Sequence, residues 1–172
     1  MMKYKSYETE RLILKPTTKD DAAFILQLMN TEAWLKYIGD RNIATIEQAA
    51  VYIEKRMLPQ LQKLGYGNFT VFRKSDGVKM GTAGLYDREG LEGIDIGFAF
   101  MPEFGRKGYA FEAANKIKQL ALEEFKLSKI NAITTQDNFA SQKLLKKLEF
   151  DLQGSTKIPG DKEELLLYVF EL

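Results

Sequence analysis

The rhythm of apolar and polar positions changes several times along this chain, and each change marks an element. RLILKP (Arg11 to Pro16) alternates briefly and stops at proline, which predicts a first strand. In TTKDDAAFILQLM the period lengthens. Thr17 or Thr18 supplies an N-cap, Asp20 and Asp21 fall in the first turn, and Ala22, Ile25, Leu26 and Met29 share one helical face. Thr45 and Gln48 fit a capping box that opens a second helix, expected to end near Pro59. Between these helices NTEAWLKYIGDRN carries the only tryptophan, Trp34, with Tyr37 and Ile38 close behind. Such aromatics either line a substrate pocket or pack a helix end onto the core.

NFTVFRKSDGVKMGTAGLYD sets Asp76-Gly77 between two strand-like runs, a hairpin signal. A second Gly-rich turn, REGLEG, leads into IDIGFAFM, so three consecutive antiparallel strands are expected. From Gly108 the period becomes helical, with Ala110, Ala113, Ala114, Ile117, Leu120, Ala121 and Phe125 recurring. KINAITT is a short β-branched run, read as a strand parallel to the one before the helix, since parallel neighbours need a crossover of this kind. NFASQKLLKKLEF reads as a short helix and EELLLYVFEL as a buried terminal strand. The order βααβββαβαβ, with a last strand at the carboxyl end, describes one mixed α/β domain over residues 1–172, without repeats or linkers.

Composition removes several classes of function. Lysine and arginine number 25 against 24 acids, so no global field draws the chain to nucleic acid or to an anionic membrane, and any anion site is local. Cysteine and histidine are both absent, which excludes disulfides, thiolate zinc sites, cysteine nucleophiles and Ser-His-Asp triads. Proton transfer near neutral pH must therefore use a carboxylate, a tyrosine, a lysine, a terminal amine or water. The amino-terminal stretch has no apolar h-region, and no window approaches the roughly 18 apolar residues of a membrane span. A cytoplasmic protein is expected.

The densest chemistry lies in MPEFGRKGYAFEAA (Met101 to Ala114), where a strand-like run passes through a Gly-bearing turn into a helix. Unpaired N–H groups at a helix start, added to the helix dipole, make a site for phosphate oxygens. Gly105 and Gly108 let the backbone approach a ligand, and Arg106 and Lys107 add charge between them. The same residues also fit a turn with a solvated basic tip. The stretch is neither a Walker A loop nor the G-x-G-x-x-G dinucleotide fingerprint. Thirty residues on, Asn138 stands at a helix mouth with Ser141 one turn later. They serve either as a cap and a first-turn hydroxyl, or as partners for an extended amide ligand and its leaving group.

Together, PEFGRKGYAFEAANKIKQLA and NFASQKLLKKLEF resemble the two signature segments of GNAT N-acetyltransferases, and ETERLILKPTTKDDA resembles the RimJ/RimL-like branch, which acetylates protein N-termini or small amines. The resemblance runs nearly end to end. It implies the acyl-CoA N-acyltransferase fold, a central, mostly antiparallel sheet flanked by helices, with acetyl-CoA as cosubstrate and no metal. Gly105 through Ala110, with Tyr109 inside the loop, aligns with the six-residue segment whose N–H groups hold the CoA pyrophosphate. Phe98, Ala99 and Phe100 match the strand that pairs with the pantetheine arm. Asn138 matches a pantetheine contact and Ser141 the hydroxyl near the thiol. One departure stands out: the family's first loop position is usually Gln or Arg, whereas Gly105 stands there and the arginine is at 106.

In such enzymes the amine attacks the thioester directly, without an acyl-enzyme, which suits a chain lacking Cys and His. A backbone N–H near the end of the Ile94–Phe100 strand, such as that of Phe100, is the expected donor to the thioester carbonyl. Asp95 and Glu103 are the candidate water-relayed bases, with Glu103 also readable as a helix-start charge complement. Trp34, Tyr37 and Tyr86 are the candidate acceptor pocket, for a small-molecule amine or a peptide N-terminus. Two rivals remain: a non-catalytic acyl-CoA-binding module of the same fold, and a small nucleotide- or RNA-binding domain, which would want a broader basic face. Pairing of EELLLYVFEL across a homodimer is a further expectation.

Overall fold

The structure is a computed structural model describing residues 4–172. Its strands are β1 (Tyr7–Glu8), β2 (Leu12–Pro16), β3 (Asn68–Arg73), β4 (Lys79–Asp87), β5 (Ile94–Phe100), β6 (Lys129–Thr134), β7 (Asp151–Thr156) and β8 (Leu165–Glu171). They form one sheet in the order β1-β2-β3-β4-β5-β6-β8-β7. Every neighbouring pair is antiparallel except β5 and β6. Those two are joined by the helix α5 (Tyr109–Glu123), the crossover that a parallel pair requires. The remaining helices are α1 (Ala22–Met29), α2 (Glu32–Tyr37), α3 (Ile46–Tyr52), α4 (Leu58–Leu64) and α6 (Phe139–Lys147).

Two apolar clusters hold the helices to the sheet. The larger joins Ala113, Ala114, Ile117, Leu120 and Ala121 of α5 and Leu145 of α6 to Leu14, Phe69, Leu85 and Ile96 of the strands. The smaller joins Ala22, Ile25, Leu28 and Met29 of α1 to Ala49 of α3, Ile53 and Met101. Successive strand side chains point to opposite faces. Accordingly Ile96, Phe98 and Phe100 pack with the first cluster, while Ala99 and Met101 pack with the second. The sheet thus has an α5 face and an α1/α3 face.

Local chemistry explains most boundaries. Thr18 and Asp21 form a reciprocal capping box before α1. Gly77 takes φ +73° in the β3–β4 hairpin. At α3, Thr45 Oγ1 accepts from the Gln48 N–H at 3.1 Å, whereas Gln48 Oε1 takes the Ala44 N–H at 2.7 Å, one residue before the cap.

Three expectations need correction. The second helix does not end near Pro59. It passes through a wide, π-type turn at Ile53–Met57 into α4, where Pro59 falls in the first turn, a position that needs no N–H donor, and it stops at Gly65 (φ +84°). The short strands β1 and β7 and the short helix α2 were absent from the expected order. Finally, EELLLYVFEL supplies β8, which is paired on both sides, by β6 and β7, and so is not an edge; the edges are β1 and β7.

Candidate active site

β5 and β6 share a single residue pair, Asp95 with Asn131, and then part. On its other side β5 stays paired with β4 along its whole length, from Asp87 with Ile94 to Gly81 with Phe100. The Met101 N–H donates to the Met80 carbonyl at 2.9 Å, so the alternation of an antiparallel ladder turns the peptide groups of Ala99 and Gly97 toward β4 as well. Those of Phe98 and Phe100 therefore face the gap, where no β6 residue pairs with them. This is a slot of unused donors and acceptors, fitted to an extended chain that carries amides.

At the far end of β5 a 3-10 turn, Pro102–Phe104, leads into the glycine loop. Gly105 is extended (φ −68°, ψ 154°), Arg106 takes φ +61°, and Gly108 takes φ +80° as the N-cap of α5. Among the described residues no side chain caps that helix. The first intrahelical bond is Glu112 N–H to the Gly108 carbonyl, which leaves the N–H groups before it for a ligand. Arg106, Lys107 and Gly108 are exposed, Tyr109 and Ala110 are partly buried, and neither Arg106 nor Lys107 has an acidic partner among the described residues.

The loop is held from the amino-terminal strand. Arg11 Nη1 donates to the Lys107 carbonyl at 3.1 Å, and its guanidinium lies 4.3 Å from the centre of the Tyr109 ring. Thr9 and Arg11 together grip Glu112.

Asn138 caps α6, its Oδ1 accepting the Ser141 N–H at 3.2 Å, so the cap reading of Asn138 describes its carbonyl. Ser141 is partly buried one turn in. Close by, at the end of β6, the Thr135 hydroxyl is buried without a partner among the described residues. Sequence reading passed over Thr135; its only signal was its place between the strand and the Asn138 cap.

Asp95 and Glu103 stand at opposite ends of β5. Glu103 is exposed. Asp95 is 1% exposed and forked by Arg88, Nε to Oδ1 and Nη2 to Oδ2, both at 3.2 Å. Burial pushes the Asp95 carboxyl above its ordinary range, with Arg88 opposing. Arg88, just beyond β4, was likewise missed, because register rather than spacing puts it there.

Trp34 and Tyr37 lie on α2, where Trp34 packs on the α1/α3 cluster with its Nε1 buried and unpartnered among the described residues. Tyr86 lies in β4, its hydroxyl bonded to Asn68 and Arg88 5.6 Å from its ring centre. Among the described residues no group of three or more carboxylates is placed to hold a metal ion, and no helix is long and apolar enough to cross a membrane.

Residues 11–151 match the model of the acetyltransferase (GNAT) domain. The chain belongs to the GNAT family. It is 31% identical to the uncharacterized N-acetyltransferase YoaA of Bacillus subtilis over 86% of this chain and 83% of the relative. A second relative from that organism, the uncharacterized N-acetyltransferase YnaD, is 27% identical over 90% and 89%. Among solved structures, an acetyltransferase from Agrobacterium tumefaciens superposes with a TM-score of 0.84 at 19% identity, over 100% of this chain and 97% of that one. RimL, a ribosomal L7/L12 alpha-N-protein acetyltransferase in complex with coenzyme A, superposes at 0.81 and 16% identity, over 98% of both. The fold is the GNAT fold, and the chain is an acetyl-transferring enzyme of a family that uses acetyl-CoA. In GNAT terms the parted strands and the glycine loop are one continuous feature: β5 leads through the Pro102–Phe104 turn into the loop that opens α5.

Proposed function

We propose that this enzyme moves the acetyl group of acetyl-CoA directly to a primary amine, a protein N-terminus or a small amine, without an acyl-enzyme. The parting of β5 from β6 beside an uncapped helix start carries the reading, because it offers amide-pairing groups and a phosphate site along one line. The Phe98 and Phe100 peptide groups, flanking Ala99, hold the pantetheine arm, and Gly105 through Ala110 hold the pyrophosphate with Arg106 and Lys107 adding charge. When bound, the cosubstrate supplies an activated acyl carbon; the protein aligns the amine, polarises the carbonyl and manages two protons.

Asn138, whose N–H₂ group is not needed for the cap, turns to the pantetheine amides, and Ser141 lies by the thiol. Asp95 is the base favoured by its place at the root of the slot, acting through water, and Glu103 the alternative at the phosphate end. An N-terminal amine needs little help to deprotonate near neutral pH, whereas a lysine needs more. Trp34, Tyr37 and Tyr86 line the acceptor side on the α1/α3 face. ETERLILKPTTKDDA supports a RimJ/RimL-like assignment. The cytoplasm is the proposed compartment. If the enzyme dimerises through its sheet, the β1 or β7 edge does so.

CoA release, measured with free-N-terminus peptides, polyamines and aminoglycosides, tests the reading. Release with one of these amines is expected, together with a raised melting temperature in acetyl-CoA that Gly108→Trp abolishes. No binding heat and no thermal shift at millimolar acetyl-CoA would sink it.

A further inference from the structure

A chain of buried hydrogen bonds crosses β4, β3 and the start of α1, and its direction can be read from one end. Asp21, 6% exposed and paired with Lys79 Nζ at 2.7 Å, offers only acceptors. Thr70 Oγ1 donates to Asp21 Oδ2 at 3.2 Å and so spends its one hydrogen. It therefore receives from Thr17 Oγ1 at 2.8 Å, and Thr17 in turn receives Asn68 Nδ2 at 2.8 Å. That orientation of the amide leaves Asn68 Oδ1 facing Tyr86, whose hydroxyl donates to it. The Tyr86 hydrogen is thereby spent as well, and only lone pairs remain for any ligand.

The ring lies beside the point where β5 and β6 part. Gly84 and Gly97 are cross-strand partners, and Tyr86 lies over both. A Cβ on Gly97 would fall 2.8 Å from the ring, and one on Gly84 would fall 3.0 Å from the hydroxyl. Gly97 is two residues beyond Asp95, the last point at which β5 and β6 are paired. Asp95 itself is directly across from Tyr86.

From this, and resting on the acetyl-transfer reading above, we infer that the Tyr86 hydroxyl is fixed as a hydrogen-bond acceptor that receives an N–H of the amine substrate. Asn68, Thr17, Thr70 and Asp21 are its positioning residues. An amine brings an N–H to a phenol oxygen that has only lone pairs left, while Arg88 already holds Asp95 and stands 5.6 Å from the centre of the Tyr86 ring. A carboxylate or carbonyl group would face lone pairs instead.

Carbon-13 NMR of Cζ-labelled tyrosine tests this on the full chain, with Tyr86→Phe identifying the Tyr86 signal. Asn68→Leu is expected to shift that signal and Asn68→Asp, which keeps an acceptor for the phenol, to leave it near wild type. Propylammonium is expected to move the signal, and tetramethylammonium, which has no N–H, to leave it in place. Equal responses to the two Asn68 variants, or to the two cations, would overturn the inference. With an acceptor in hand, Thr70→Val should raise the amine KM about fivefold, leave the acetyl-CoA KM unchanged, and add nothing to Tyr86→Phe; additive effects would also overturn it. Failure of acetyl transfer to every amine would refute the proposed function, while the carbon-13 result still decides the polarity of Tyr86.

Discussion

Arg11 and Glu112, 101 positions apart, hold each other twice: Arg11 Nε donates to Glu112 Oε2 at 2.7 Å, and the Arg11 backbone N–H donates to Oε1 at 2.8 Å. Thr9 adds its hydroxyl to Oε1 at 2.6 Å. The TERL stretch is therefore a brace for the first turn of α5, and through the Lys107 carbonyl for the glycine loop itself.

Removing that brace should loosen the loop. Glu112→Gln is expected to raise the acetyl-CoA KM several-fold with a smaller change in kcat, and to cost about 2 kcal/mol, as charge-assisted hydrogen bonds do. Burial works to raise the Glu112 pKa, but Thr9 and Arg11 outweigh it and hold the carboxyl below its ordinary value. A lowered carboxyl stabilises the fold fully above its unfolded pKa, and the contribution is lost as pH falls through the folded one. The gap in melting temperature between wild type and Glu112→Gln should thus narrow as the pH is lowered from 7 through the acid range.

Gly108→Ala should cost about 1–2 kcal/mol, because φ +80° is a conformation that a Cβ disfavours. For a chain of this size that is a fall of about 2–4 °C in melting temperature per kcal/mol. Gly105→Ala, at φ −68°, should cost less. Thermal melts of the two variants side by side check the difference.

Arg88→Met leaves Asp95 buried without its partner, a change that costs about 3–5 kcal/mol at neutral pH. Burial already raises the Asp95 pKa, and loss of the guanidinium raises it further. A folded carboxyl with a raised pKa takes up its proton before the unfolded one does, so acidification should restore part of the loss. Urea denaturation at pH 7 and about pH 5 reads both effects.

Lys118, 8% exposed, donates to the Leu148 carbonyl at 2.6 Å and sits 3.7 Å from the centre of the Phe170 ring. It ties the end of α6 to β8. Lys118→Met should cost about 1.5–3 kcal/mol by urea denaturation.

What the sequence made legible was local chemistry. The Thr18 cap, the Asp76-Gly77 turn and the strand-turn-helix at Gly108 each depend on residues a few positions apart. What it hid depends on register or on weak patterning. β7 is exposed along nearly all its length, with Gly154 at φ +140°, so no alternation betrays it. The helix beyond Pro59 survives because a wide turn places the proline in a first turn again. In the site, glycine loop and Asn138 cap were visible as motifs, whereas the Arg88–Asp95 fork and the chain from Asp21 to Tyr86 join residues that only strand pairing brings together.

The single Asp95–Asn131 pair has a mechanical meaning. On one side of it stand β1 to β5, and on the other β6, β8 and β7, so the ladder between these blocks has one rung. If the cosubstrate lies there as proposed, it would add rungs to both. Amide exchange along β6 should then slow on occupancy even at residues that touch no ligand, because the two blocks would move as one plate.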